Sequence, residues 1–197
     1  GEDGEGEGEQ QSSARPPATK PASLDALERR IALGDLNAKD ELFTRAEQGE
    51  AAAQRNLARL YAEGLHGFDK DPFLARHWAD KAVINGDLEA MIVLGDLWSH
   101  GRGGPMDEAV AISFYERAAN GGLSSAQLKL ARVYDTADSE HSNSLLAYRW
   151  YRAALDNGEQ RAKEGVERLG AFLDFEQRAY VNRLLSSSGQ RAGQDGG

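Results

Sequence analysis

Small and apolar residues recur with helical spacing through the middle of the chain. Glycines that end the predicted helical segments recur at Gly49, Gly86, Gly122 and Gly158, at intervals of 37, 36 and 36 residues. Each glycine is followed four residues later by an alanine, and that alanine four residues later by another apolar residue. The alanines are Ala53, Ala90, Ala126 and Ala162, and the apolar residues are Leu57, Leu94, Leu130 and Val166. Because this spacing places them on one side of an α-helix, the pattern predicts a repeated amphipathic helix.

A second set of columns follows in each unit and predicts a second helix. Alanines at 75, 111 and 147 precede the aromatic residues Trp78, Phe114 and Trp150 by three positions. We call the two helices of a unit helix A and helix B. Helix A is predicted at roughly 51–63, 87–100 and 123–136, and helix B at roughly 71–85, 107–121 and 143–157. The alanines and aromatic residues of these columns are expected to form the core.

The chain ends differ from the repeat. Gly34 to Ala38 is interpreted as the start of a helix A that lacks its partner, preceded by a capping helix at 24–31. Ala162 to Leu169 is predicted to begin a fourth unit, closed by a helix at 172–185. The sequence thus predicts an all-α solenoid of about three helix-turn-helix repeats with capping helices over 24–185. Residues 1–23, rich in Gly and Glu, are predicted to be a disordered acidic tether, and residues 186–197 a disordered tail.

Two segments carry a family resemblance. They read Ala-x3-Leu-Gly-x2-Trp-x2-Gly at 90–101 and Ala-x2-Trp-Tyr-x2-Ala-Leu-x2-Gly at 147–158. The chain resembles the Sel-one-like repeat family, a relative of the tetratricopeptide repeats, over residues 34–185. The resemblance implies a right-handed superhelix and a scaffold or adaptor role, frequently in bacterial envelope and signalling systems, with no shared active site. The third unit departs from the pattern at Ala137, where the others have Gly64 and Gly101.

Composition restricts the class of partner. The net charge is −9, which argues against binding to a nucleic-acid backbone. The chain has no run of about 18 apolar residues, so membrane insertion is not predicted. It has no cysteines, so disulfides are excluded. The chain starts at Gly1 rather than Met, which favours a processed form. The processed form and the predicted tether together lead us to expect a periplasmic protein, either free or held by a lipid anchor upstream. A cytosolic adaptor is the alternative.

Residues with catalytic or metal-binding chemistry do not form a recognisable site. His66, His77, His100 and His141 have no helical ligand spacing, so surface or loop positions are expected. Gly101 to Pro105 is glycine-rich, but it follows a helix and lacks a phosphate-loop motif, so a turn is expected. We predict no catalytic residue, no cofactor and no metal, and an enzyme or enzyme subunit is the minor alternative.

The predicted function is therefore binding. We expect a protein partner on the concave face, with the chain acting as a scaffold, an adaptor or an inhibitor such as an immunity protein. Positions of helix A next to each core leucine give the candidate residues, which mix arginine, apolar and acidic side chains. They are Arg55, Arg59, Glu63, Ile92, Asp96, His100, Leu128, Arg132 and Asp135.

Overall fold

The computed structural model describes residues 22–136 and 142–192, with side chains described as far as Ser186. These residues form ten α-helices and one 3₁₀ turn at Gln160–Ala162. In chain order the helices are α1 Leu24–Ala32, α2 Leu36–Glu47, α3 Ala51–Glu63, α4 Pro72–Ile84, α5 Leu88–Ser99, α6 Glu108–Asn120, α7 Ser124–Asp135, α8 Ser144–Asp156, α9 Lys163–Phe172 and α10 Phe175–Ala192. The predicted all-α class is confirmed.

Three helix pairs form the three predicted units. Helices α3 and α4, α5 and α6, and α7 and α8 pack together as helices A and B, and each helix B also packs against the next helix A. Each unit ends at a glycine with a positive φ, which is 87° at Gly86, 90° at Gly122 and 89° at Gly158. Glycine is favoured there because side chains with a Cβ rarely adopt this left-handed conformation. The repeating glycines of the sequence therefore mark the boundaries of a solenoid-like array.

The turn between helix A and helix B is closed by the same hydrogen bond in every unit. The backbone N–H of the residue that caps helix B donates to the carbonyl oxygen of the aromatic residue near the end of helix A. The N···O distances are 3.0 Å from Asp71 to Tyr61, 3.1 Å from Asp107 to Trp98 and 2.8 Å from Asn143 to Tyr134. The third unit thus keeps this closure, although Ala137 and residues 138–141 of its loop lie outside the described residues.

The ends of the array differ from the prediction. Helix α2, which the sequence predicted to be a helix A without a partner, packs between α1 and α3. The prediction is wrong, because α1 takes the place of helix A and α2 that of helix B in this first pair. Leu27 and Ile31 of the short helix α1 supply the contact, because both are buried in the same cluster as Leu42 of α2. At the other end α10 continues to Ala192, past the boundary at 185 from which the sequence predicted a tail. Residues 1–21 of the predicted tether and 193–197 of the predicted tail lie outside the described residues.

Most positions of the predicted core columns are buried, while Phe114 and Val166 are only partly buried. Ala75, Ala111 and Ala147 are at most 1% exposed, and so are the core leucines Leu57, Leu94 and Leu130. The helix B tyrosines Tyr115, Tyr148 and Tyr151 are buried as well. These tyrosines therefore pack between helices, which leaves their rings unavailable for a contact on the outer surface.

Buried amides connect neighbouring helices in two of the units. Gln127 Nε2 donates to the carbonyl oxygen of Ala119 at 3.1 Å, and Asn157 Nδ2 donates to Gln127 Oε1 at 3.0 Å. The first unit repeats this arrangement, with Gln54 bonded to Ala46 at 2.8 Å and to Asn85 at 2.9 Å. Each glutamine therefore joins its own unit to the preceding helix.

Candidate functional site

Ion pairs join consecutive A helices along one side of the array. We call this side the A-helix face; it comprises the accessible side chains of α1, α3, α5, α7 and α9. Among the described residues, ion pairs connect each of these helices to the next, and Arg55 pairs with Glu89 as well as with Asp87. Four of the pairs have nearly the same spacing in the sequence. They are Glu28–Arg59, Arg55–Asp87, Asp96–Lys129 and Asp135–Arg168. The partners lie 31 to 33 residues apart, slightly less than one repeat. We refer to this set as the charge ladder.

Buried tyrosines of helix B support two pairs of the charge ladder. Tyr115 Oη donates to Asp96 Oδ1 at 2.7 Å, and Tyr151 Oη donates to Asp135 Oδ2 at 3.0 Å. Burial, together with the neighbouring carboxylate, raises the pKa of Tyr115 well above its ordinary value. The same two causes raise the pKa of Tyr151 to about 12. Both phenols therefore stay protonated at neutral pH and keep donating to the carboxylates.

Two clefts adjoin each other between α5 and α9. The first has a volume of about 220 Å³ and combines the apolar side chains of Ile112 and Val133 with Asp96, Lys129 and Arg132. The second has a volume of about 200 Å³ and is polar. Arg132, Arg161, Glu164 and Arg168 contribute to its wall. Because Arg132 lines both clefts, they form one continuous surface around its guanidinium group.

Arg132 differs from the neighbouring cations that line these clefts. Arg168 is paired with Asp135, and Arg161 Nη2 lies 2.6 Å from Glu159. The hydrogen bond from Arg161 is the main cause that lowers the pKa of Glu159 to about 2. The Arg132 side chain is exposed, and no residue in the described part of the chain forms an ion pair with it. It is therefore a cation available to a ligand.

The nine predicted binding residues fall into three groups. Glu63, His100 and Arg132 are exposed, and Ile92 is partly exposed beside them. Four others belong to the charge ladder, where they connect helices; these are Arg55, Arg59, Asp96 and Asp135. The prediction is wrong for Leu128, which is only 2% exposed and lies in the core. Leu128 occupies the same position in its helix A as Arg55 does in the first unit. Because Arg55 contacts the N-terminal end of the next helix A, this position faces the interface between units.

The charge-ladder partners Lys129 and Arg168 are not among the residues predicted from the sequence. Positions counted within one helix carry no information about the charges of the neighbouring units. A signal was present, since opposite charges recur 31 to 33 residues apart along the chain.

The glycine-rich loop after α5 is a turn held by an arginine. The Arg76 guanidinium donates to the carbonyl oxygens of Arg102 at 2.7 Å and Pro105 at 3.1 Å, and it lies 4.0 Å from the centre of the Trp98 ring. A phosphate-binding loop directs backbone N–H groups at the anion, whereas this loop directs carbonyl oxygens at the cation of Arg76. The expected turn is confirmed at this position.

The described residues contain neither a metal-binding cluster nor a membrane-spanning helix. No group of three or more histidine, aspartate or glutamate side chains among the described residues is placed to hold a metal ion. His141 lies outside the described residues. Over the described ranges, none of the helices is both long enough and apolar enough to cross a membrane.

Comparisons with known proteins agree with the repeat and its boundaries. The family model described as Sel1 repeat matches residues 51–87, 88–123 and 124–159. Among curated relatives, the chitin synthase regulator SKT5 of Saccharomyces cerevisiae is 31% identical over 125 residues, which is 62% of this chain and 18% of the relative. Chitin synthase regulatory factor 4 of Schizosaccharomyces pombe is 27% identical over 159 residues, which is 80% of this chain and 24% of the relative. The chain therefore spans less than a quarter of the length of these relatives.

A solved structure is similar over the same region. The crystal structure of a Sel1 repeat protein from Oxalobacter formigenes matches with a TM-score of 0.55 and 33% sequence identity, covering 65% of this chain and 96% of that one. The described helix pairs and the repeat boundaries therefore have a counterpart in an experimentally determined protein.

Proposed function

The chain belongs to the Sel1 repeat family, and from this premise we propose that it is a non-catalytic module that binds another protein through the A-helix face. The observation that carries the proposal is the position of Arg132, an exposed arginine that lines two adjoining clefts and has no ion-pair partner within the described ranges. Arginine is enriched among the residues that contribute most to protein interfaces, because its planar guanidinium group forms several directed hydrogen bonds. We place the centre of the interface at this residue.

The surroundings of Arg132 suit a protein ligand. Ile112 and Val133 supply an apolar floor, while Lys129 and Glu164 supply a charged rim, and interfaces commonly combine an apolar centre with a polar rim. The charge ladder fixes the neighbouring side chains before binding. Less conformational entropy is then lost when the partner docks.

The names of the relatives support the same class of function. The two fungal relatives are named as regulators of chitin synthase, which describes action on another protein. We propose the corresponding general role here, a scaffold, adaptor or inhibitor, with the partner left open. The expected location in the bacterial periplasm stays a prediction, and fractionation of the native host tests it.

The proposal is tested with the Arg132→Glu variant. Wild-type and variant proteins capture partners from extracts of the native host, and a partner identified by mass spectrometry is then titrated in purified form by calorimetry. We expect Arg132→Glu to weaken binding at least tenfold, because loss of a central arginine costs about 2 kcal/mol or more.

The matched control is Arg183→Glu. Arg183 is exposed on α10, and the variant changes the net charge by the same amount. It should bind like the wild type. Equal weakening in both variants would indicate a non-specific charge effect, and unchanged affinity in Arg132→Glu would place the interface elsewhere.

A further inference from the structure

Three guanidinium groups line the second cleft, and each keeps hydrogen-bond donors for a ligand. Arg161 donates to Glu159 from Nε at 2.8 Å and from Nη2 at 2.6 Å, and Arg168 donates to Asp135 from Nη2. Among the described residues, no acceptor faces Arg161 Nη1 or the Nε and Nη1 of Arg168. Arg132 has no ion-pair partner there either. Because a guanidinium group has five N–H donors, the wall of this cleft can donate to a further acceptor.

The cations of the second cleft are more accessible than the carboxylates with which they pair. The side chains of Arg161 and Arg168 are 64% and 48% exposed, whereas those of Glu159 and Asp135 are 14% and 17% exposed. Arg132 is exposed beside them. A ligand that approaches from solvent therefore meets guanidinium groups before carboxylates, although the net charge of the whole chain is −9. Charged acceptors form the stronger hydrogen bonds with such donors, so the cleft favours an anionic group.

The acidic groups of the second cleft limit the charge of that anion. Glu164 also lines the cleft, and it stands in the first turn of α9, where a carboxylate complements the helix dipole. Together with Asp135 and Glu159 it equals the three arginines in number, so long-range attraction is weak and binding depends on directed hydrogen bonds. The desolvation cost of an ion rises steeply with its charge. A carboxylate with a single charge is therefore favoured over a phosphate dianion.

The first cleft indicates what stands beside the carboxylate. It meets the second cleft at Arg132, and Ile112 and Val133 supply its apolar surface. Asp96 and Glu108 line it as well, and they disfavour a second carboxylate at this position. An aliphatic side chain suits the apolar part, because it is removed from water without placing a charge near these acids. The two clefts together fit an acidic residue with an aliphatic neighbour.

We propose that the protein partner presents an acidic segment to the A-helix face, an inference that rests on the proposed function. The carboxylate of a glutamate or aspartate side chain enters the second cleft and accepts hydrogen bonds from Arg132, Arg161 and Arg168. An aliphatic side chain next to it covers Val133 in the first cleft. Because the clefts extend to both sides of Arg132, the ligand is an internal segment that passes across this residue.

The probe is a tripeptide of leucine, glutamate and leucine, with an acetylated N-terminus and an amidated C-terminus. Its glutamate is the one charged group. The peptide is titrated into the ¹⁵N-labelled full chain at mildly acidic pH, and the Nε–H signals of Arg132, Arg161 and Arg168 are followed by NMR. We expect saturable shifts of all three signals. The matched peptide with glutamine in place of glutamate should bind about tenfold or more weakly, because it keeps the shape but loses the charge.

Arg132→Gln tests the arginine against the same two peptides. The variant should bind the glutamate peptide about tenfold or more weakly than the wild type does, and its affinity for the glutamine peptide should be unchanged. Arg161→Gln should also weaken the glutamate peptide, and it decides alone if Arg132→Gln does not fold. Arg183→Gln is the matched control, because Arg183 is exposed on α10 and the net charge changes by the same amount. It should bind both peptides like the wild type.

The peptide comparisons decide both the charge and its source. Absence of saturable shifts, equal affinity for the two peptides, or wild-type affinity of Arg132→Gln for the glutamate peptide would overturn the proposal. Tighter binding of the glutamine peptide with a free C-terminal carboxylate would overturn the choice of a side chain in favour of a chain end. Tighter binding of the matching phosphoserine peptide would overturn the choice of a carboxylate.

The captured partner separates this proposal from the proposed function. If Arg132→Glu weakens the partner while the two peptides bind equally, the A-helix interface stands and the acidic segment is wrong. If Arg132→Glu leaves the affinity for the partner unchanged while the two peptides differ, the clefts bind a carboxylate and the A-helix interface is wrong.

Discussion

At the scale of single residues, the side-chain volumes at two facing positions of helix A and helix B compensate for each other in the second unit. Gly95 on α5 faces the ring of Tyr115 on α6, and a Cβ added at Gly95 would lie 2.4 Å from Tyr115 Cε1. The first unit has Ala58 and Ala79 at the corresponding positions. In the second unit the larger residue on helix B is therefore accommodated by a smaller one on helix A. Tyr115 cannot easily move away, because its hydroxyl group is bonded to Asp96.

This pairing predicts that Gly95→Ala is destabilising. Replacing a glycine inside a helix with alanine ordinarily stabilises a helix by about 1 kcal/mol. Here the added methyl group would overpack against a fixed ring, which typically costs about 1–3 kcal/mol. We expect the free energy of unfolding to fall, as measured by urea denaturation followed by circular dichroism. In a Tyr115→Ala background the same substitution should be stabilising, as the Ala58 and Ala79 pair suggests. An effect of the same sign in both backgrounds would contradict the prediction.

At the scale of elements, the units use two solutions for the same contact between helices. The first and third units place a glutamine and an asparagine there, as Gln127 and Asn157 illustrate. The second unit has Met91 and Gly121 at these positions. The polar residues therefore occur as a pair or are replaced as a pair, which is expected when each satisfies the other.

The prediction at this scale concerns Gln127→Met. The substitution removes the amide that bridges Ala119 and Asn157, and we expect a loss of about 1 kcal/mol in the free energy of unfolding. Adding Asn157→Gly reproduces the second unit and should cost less than the sum of the single changes. Urea denaturation of the four proteins of this double-mutant cycle measures the coupling. Strict additivity would mean that the two side chains act independently.

The sequence predicted the elements better than the contacts between them. Columns such as Ala75, Ala111 and Ala147 are visible because burial restricts each position to a small residue in every unit, and their burial confirms the helix pairs. Arg132 and His100 were correctly predicted to be accessible. Leu128 was misplaced because its surroundings include the following unit, and one helical period contains no information about a neighbouring helix.

The contact between α1 and α2 was missed for a similar physical reason. Helix α1 has only nine residues and does not repeat the columns of the other units. Its buried residues Leu27 and Ile31 are four positions apart, which indicates an apolar side of a helix but not the helix it covers. The pairing depends on tertiary packing at the end of the array.

At the scale of the whole molecule, the core has two parts that meet at α5. One cluster runs from α1 to α5 and includes Leu57 and Leu94, and the other includes Met91 of α5 and continues through Leu130 towards α10. Val83, Trp98 and Phe114 contact both clusters. In a stack where each unit contacts mainly its neighbours, stability is expected to be distributed locally. Arg132 lies in the half of the chain that contains the second cluster.

The division of the core predicts reciprocal effects of two matched substitutions. Leu57→Ala and Leu130→Ala remove the same side chain from the same column, each fully buried, and each should cost about 2–5 kcal/mol. Leu57→Ala should accelerate amide hydrogen exchange in α1 to α4 more than in α7 to α9, and Leu130→Ala should do the reverse. Hydrogen exchange followed by mass spectrometry measures both patterns. Equal acceleration of every helix in both variants would show one cooperative unit. The reciprocal pattern would mean that the half carrying Arg132 keeps its structure when the first cluster is weakened.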